Sequence, residues 1–190
     1  MKVKRKTSLK KILECKGCDL CMHPTRRRSG PVIGKGSIPA DMLIIGEAPS
    51  KEDDLLKEPF SGPEGELLIR MINESIKMSN SPELTCYYTN SVLCRPWIWD
   101  KEDELYGINR KPKDDEILAC MSNVMEVYKQ VKPSIIVFVG KVAEQFYKNE
   151  FSDFISLNHP SFHMKYGGKS SPYYRSDVRT LTDALRRINL

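Results

Sequence analysis

Apolar runs and amphipathic stretches take turns along this chain. Asp41-Met42-Leu43-Ile44-Ile45-Gly46 and Ser134-Ile135-Ile136-Val137-Phe138-Val139-Gly140 are apolar almost throughout and end in glycine. That is the pattern of strands buried on both faces. Cys86 to Leu93 and Asp153 to Leu157 are further strand candidates, the second running straight into Asn158-His159-Pro160. Glu64 to Met78, Lys113 to Val131 and Val142 to Lys148 place apolar residues at helical spacing, and Asp177 to Ile188 predicts a closing helix. Alternation of this kind predicts an α/β fold, a mainly parallel sheet with helices on both faces. In such a sheet the loops after the strands gather at the carboxyl edge, where sites are built. Pro96 to Lys113 reads as a polar, Trp-bearing loop and Met164 to Pro172 as a Gly/Ser-rich one.

A length of 190 residues suits a single domain with a real core, and 40% hydrophobic with 29% charged residues is ordinary globular usage. No apolar run approaches the roughly 20 residues of a membrane helix. The basic start Met1 to Lys11 is followed only by Ile12-Leu13 before Glu14. The expectation is a cytoplasmic, nucleoid-associated protein, neither secreted nor membrane-inserted. Net charge is +5, with Lys2 to Lys11, Arg26-Arg27-Arg28, and Arg175, Arg179, Arg186 and Arg187 as basic clusters. Such clusters suit a polyanion, or form a solvated tail and an ordinary charged surface.

Cys15, Cys18 and Cys21 form a C-x-x-C-x-x-C run, and Cys86, Cys94 and Cys120 lie downstream. Without a secretion signal, this clustering favours a metal site over disulfides, and the spacing serves zinc or an iron–sulfur cluster alike. Cys86, at a strand start, reads as a small core residue.

Three of the four strand ends carry candidate site residues, and a loop before a helix carries a fourth. Gly46-Glu47-Ala48-Pro49-Ser50 follows the first strand, and Glu58-Pro59-Phe60-Ser61-Gly62 puts a ring before a helix, to stack on a base or to plug the core. Thr89-Asn90 ends another strand. Its amide could serve a turn or read a pyrimidine edge, accepting from uracil N3–H and donating to O4, whereas cytosine presents the reverse pattern. His159-Pro160-Ser161 follows the last strand.

Together these segments resemble the family 4 uracil-DNA glycosylases, with their G-E-[AG]-P-G, P-F-x-G, T-N-x-x-x-C-R-P, N-R-x-P-x-x-x-E-x-x-x-C and H-P-[AS] motifs. The sequence reads Gly46 to Ser50, Pro59 to Gly62, Thr89 to Pro96, Asn109 to Cys120 and His159 to Ser161, in the family's order from Cys15 to the last helix. The resemblance implies a three-layer α/β/α fold around a central four-stranded parallel sheet. It implies a [4Fe-4S] cluster on Cys15, Cys18, Cys94 and Cys120, zinc being the alternative, with Leu20 completing C-x-x-C-x-L and Cys21 an extra thiol. It implies a pocket of Ala48, Phe60 and Asn90, with Phe60 stacking on a flipped base, Asn90 reading its edge and His159 facing uracil O2. The implied reaction is removal of uracil from single- or double-stranded DNA by a monomer. Glu47 or Asp53 would position the attacking water, and the cluster would brace DNA-facing loops.

Three positions depart from the family pattern. Ser50 replaces its glycine and Asp53 its usual Glu, where the pocket meets C5 of the base, so a C5-modified uracil is an alternative substrate. Trp97 to Ile108 is inserted, carrying Trp97, Trp99 and Tyr106, either as a DNA-contacting loop or as a packing patch over the cluster. A noncatalytic DNA-binding module on the same fold is the competing function, and a zinc-bound structural protein a third.

Overall fold

The computed structural model describes Cys18, Leu20 and residues 30–188 apart from 82, 104 and 105. Four strands lie parallel: β2 (Met42–Gly46), β3 (Cys86–Asn90), β6 (Ile135–Val139) and β7 (Ile155–Leu157). A two-residue strand, β1 (Lys35–Gly36), adds an antiparallel edge beside β3, giving the order β1-β3-β2-β6-β7. The helices are α1 (Lys51–Leu56), α2 (Pro63–Met78), α3 (Asp114–Val131), α4 (Lys141–Tyr147), α5 (Pro160–Lys165) and α6 (Pro172–Ile188). None of the described helices is long and apolar enough to cross a membrane.

Strand alternation sorts the core into two layers. Leu43, Ile45, Ile136 and Phe138 face one cluster with Val124 and Val127 of α3 and Tyr147 of α4. Met42, Ile44, Ile135, Val137 and Val139 face the other, with Leu68 and Ile72 of α2 and Leu181 and Leu185 of α6. This is the expected three-layer α/β/α arrangement, and β1 is the addition. From β2 the chain steps to β3 on one side and later to β6 on the other, so strand order reverses around β2. In parallel sheets the crevice at such a reversal is the usual binding place.

Departures from the predicted elements have local causes. The polar stretch after Pro96 folds back as a hairpin of β4 (Trp97–Ile98) and β5 (Ile108–Asn109). Its anchor is Arg95, buried at 6% exposure, which donates to Asn109 Oδ1, Tyr106 O and Gly107 O at 2.6, 2.9 and 3.0 Å. The closing helix begins at Pro172 rather than Asp177. Proline pre-sets the first helical turn, and Ser171 Oγ accepts from Tyr173 N–H at 3.2 Å.

Candidate active site

The floor of the site is set by a residue with no side chain. Gly46 ends β2 opposite Asn90 of β3. A Cβ there would stand 2.6 Å from Asn90 Oδ1 and 2.7 Å from Phe60 Cζ, closer than packed atoms come. The Phe60 ring and the Asn90 amide therefore converge over Gly46. Asn90 is 1% exposed and its Nδ2 has no hydrogen-bond partner among the described residues. A buried donor left unpaired costs about 1–3 kcal/mol. That cost is recovered when an acceptor enters.

Phe60 is held in an unusual backbone conformation, φ +59°. For a non-glycine residue the left-handed region costs about 1–2 kcal/mol. Two contacts impose it. Ser61 N–H donates to Asp53 Oδ1 at 2.7 Å, and Gly65 leaves room for the Phe60 carbonyl, which a Cβ would meet at 2.1 Å. Asp53, 5% exposed, uses its other oxygen to accept from Ser50 N–H at 3.0 Å while Ser50 Oγ accepts from Asp53 N–H at 3.2 Å. This reciprocal pair caps α1. It also accounts for serine at position 50: φ is −79°, where no glycine is required. Of the two acids proposed to position water, Asp53 thus has both oxygens engaged by backbone N–H groups. The Glu47 carboxylate, which also lines the cleft, takes no hydrogen bond or ion pair from the described residues.

His159 sits at the turn from β7 into α5, its ring against Gly140, whose φ of +85° and missing side chain let the two approach. Nδ1 accepts from Ser161 N–H at 3.2 Å and lies 2.7 Å from Ser161 Oγ. An Nδ1 that accepts leaves the proton on Nε2, so the neutral ring is a donor at Nε2. Burial holds its pKa below the ordinary value of 6.5; Glu47 opposes that shift and His163 adds to it. Behind the turn, Asp177 of α6 accepts from Asn158 N–H at 2.8 Å and lies 3.0 Å from Nε2 of the fully buried His163. The sequence signals for these supports were Ser50-x-x-Asp53 and the carboxylate of a late amphipathic helix. Neither stands out before the fold is known.

The cleft that these groups enclose has a volume of about 860 Å³. Glu47, Ala48, Asp53, Phe60, Asn90 and His159 all line it, with Arg110, Lys111 and Lys141 at its mouth. Arg110 is fixed there by Glu116, which accepts from it at 2.8 and 2.5 Å. The inserted hairpin stands beside this mouth. Lys51 of α1 pairs with Asp103 and lies 4.7 Å from the Tyr106 ring centroid, while Trp99 is 63% exposed.

Of the expected metal ligands, Cys15 lies outside the described residues, as does Cys21. Cys18, Cys94 and Cys120 join one apolar cluster with Leu20, and Leu93 N–H donates to Cys120 Sγ at 3.3 Å. The residue type suits a thiolate-bound metal group, but among the described residues no three Cys, His, Asp or Glu side chains are gathered so as to hold a metal ion. Cys86 packs on the opposite face of the sheet. Burial pushes its thiol up to about 11, in keeping with a core residue that stays protonated.

Fold and cleft define a parallel α/β protein with an aromatic-capped, amide-floored site at the strand-order reversal. The model of the uracil DNA glycosylase superfamily matches residues 33–182, and the chain belongs to that superfamily. It is 34% identical over 130 residues to a Type-4 uracil-DNA glycosylase of Saccharolobus solfataricus, covering 68% of this chain and 52% of that one. A Type-4 uracil-DNA glycosylase of Archaeoglobus fulgidus is 33% identical over 143 residues, 75% of this chain and 63% of that one. One of Sulfurisphaera tokodaii is 29% identical over 184 residues, 93% and 76%. The chain thus spans between half and two thirds of the length of the first two relatives.

Proposed function

We propose that this protein is a DNA glycosylase that hydrolyses the N-glycosidic bond of uracil, or of a C5-modified uracil, and leaves an abasic site. The observation that carries the reading is the unpartnered Asn90 Nδ2 on the floor of the cleft, beneath the Phe60 ring and at the same sheet edge as His159. Uracil O4 would accept from Nδ2, and uracil N3–H would donate to Oδ1. Cytosine offers the reversed pair and would leave both unmet.

Reaching the bond requires the nucleotide to leave the base stack. Phe60 then covers the ring. As the C1′–N1 bond breaks, its electron pair goes to uracil, and the neutral His159 donates from Nε2 towards O2, where the negative charge collects. A single donor of this kind is worth about 3–4 kcal/mol in the transition state. Glu47 orients a water whose oxygen bonds to C1′ and whose proton passes to the carboxylate. Asp53 acts as a positioning residue for Phe60. A [4Fe-4S] cluster on Cys15, Cys18, Cys94 and Cys120 would supply structural bracing between the Leu93–Cys94 turn and α3. Zinc is the alternative occupant.

The test is the purified protein on oligonucleotides carrying a single uracil, thymine, hydroxymethyluracil or hypoxanthine, scored for abasic sites. Cleavage after alkali at uracil, lost in Asn90→Ala while DNA affinity persists, is expected. Abasic sites at none of the four bases would replace the enzyme by the noncatalytic DNA-binding module.

A further inference from the structure

The basic residues of α6 have no part in the chemistry above. Four cations, Lys169, Arg175, Arg179 and Arg186, line a groove of about 680 Å³ between α2 and α6. Two acids share it, and both are already engaged. Glu74 pairs with Lys169 at 3.2 Å and accepts from Tyr174 O–H at 3.2 Å, and Asp183 lies 3.6 Å from Arg186. Arg175 and Arg179 are exposed and pair with no carboxylate among the described residues. Four residues apart on one helix, they stand about 6 Å apart along its axis on the same face.

A second, independent feature lies in the wall of this groove. Thr182 is 2% exposed, and its Oγ1 has no hydrogen-bond partner among the described residues. A helical threonine ordinarily bonds the carbonyl four residues back. Here that carbonyl, of Val178, accepts instead from Ser75 Oγ at 3.3 Å. Among the described residues the hydroxyl thus stands without a partner in the groove wall.

The groove also has a direction. Asp177 holds Asn158, the residue before His159, so this end of α6 lies at the active-site edge. At the other end Arg186 donates to Met78 O, at the last turn of α2. From Arg175 to Arg186 the track runs about 16 Å, the axial length of roughly five phosphates of one strand in a duplex.

We infer that the α2–α6 groove is a track for the phosphodiester backbone of the DNA strand flanking the flipped nucleotide, with Arg175 and Arg179 as its unneutralised phosphate contacts. The inference rests on the glycosylase reading for its substrate, and on the groove alone for its geometry. It separates two tasks: the cleft reads the base, and the track adds sequence-independent, salt-sensitive affinity.

The experiment compares wild type, the Arg175→Gln/Arg179→Gln double variant and Arg187→Gln. Arg187 lies on the same helix but does not line the groove. Fluorescence anisotropy with a single strand of about 25 nucleotides bearing one uracil is read at several salt concentrations, and single-turnover excision is measured on that strand and on a uracil trinucleotide. The double variant is expected to bind the long strand roughly tenfold more weakly, with a salt slope shallower by about 1.4, as two lost contacts to a single strand predict. Its excision of the trinucleotide should equal wild type, and Arg187→Gln should match wild type throughout. Equal affinity and slope in the double variant and Arg187→Gln overturn the track, as does loss of trinucleotide excision in the double variant. If wild type excises uracil from neither substrate, the glycosylase reading fails, while the affinity and slope comparison still decides whether the groove holds a DNA backbone.

Discussion

Replacing Asp53 with Asn separates positioning from chemistry. The carboxylate accepts from Ser50 N–H at 3.0 Å and from Ser61 N–H at 2.7 Å, at 5% exposure. An amide keeps one acceptor oxygen and turns an NH2 towards the other N–H. One charge-assisted bond is lost and one donor faces a donor, a change of about 2–3 kcal/mol. For a chain of this size that lowers Tm by roughly 4–12 °C. Ser61 is also what holds Phe60 at φ +59°, so the loop relaxes and the ring leaves its place over Gly46. The expected result is a lower Tm by circular dichroism and a raised KM for a uracil oligonucleotide, with a smaller change in kcat. Glu47→Gln should do the opposite: unchanged Tm and a kcat reduced by a hundredfold or more, within the range of a lost general base. An Asp53→Asn protein with wild-type Tm and a kcat below that of Glu47→Gln would refute this division and make Asp53 the residue that handles water.

Three further outcomes follow from the same geometry. Gly46→Ala forces a methyl between Asn90 and Phe60; excision should be abolished and stability lowered by about 1–3 kcal/mol, measured by urea denaturation. Because burial depresses the folded pKa of His159, the unfolded chain binds its proton first as pH falls. The neutral ring's contribution is therefore full above about pH 6.5 and is lost below it. Wild type should lose more stability between pH 8 and pH 5 than His159→Gln, and equal losses would contradict the assignment. Anaerobically purified protein should be brown with about four irons per chain, and Cys94→Ser or Cys120→Ser should bleach it while Cys86→Ser does not. A colourless protein with one zinc would instead favour the alternative occupant.

The layers of this fold are legible in one dimension because burial on both sides of a strand demands an unbroken apolar run. Met42 to Gly46 and Ile135 to Val139 show it, and α2 and α3 show the matching helical period. The strand-end residues Glu47, Asn90 and His159 are legible for the same reason: in a parallel sheet every strand ends at the same edge. What only the tertiary structure decided are relations between residues far apart in sequence. Nothing local marks Gly46 as the point where Phe60 and Asn90 meet, or Asp177 as the support of Asn158 19 residues away. Nor does spacing show that Cys94 and Cys120 share a sheet face with Cys18 while Cys86 lies on the other. Arg95 illustrates the limit most simply, since an arginine in a polar loop reads as surface charge. Buried among three acceptors of one hairpin, it ties that hairpin together from within. Hydrophobic periodicity is a property of neighbours along the chain, whereas partner choice for a buried polar group is set by which segments the packed layers bring within hydrogen-bond reach.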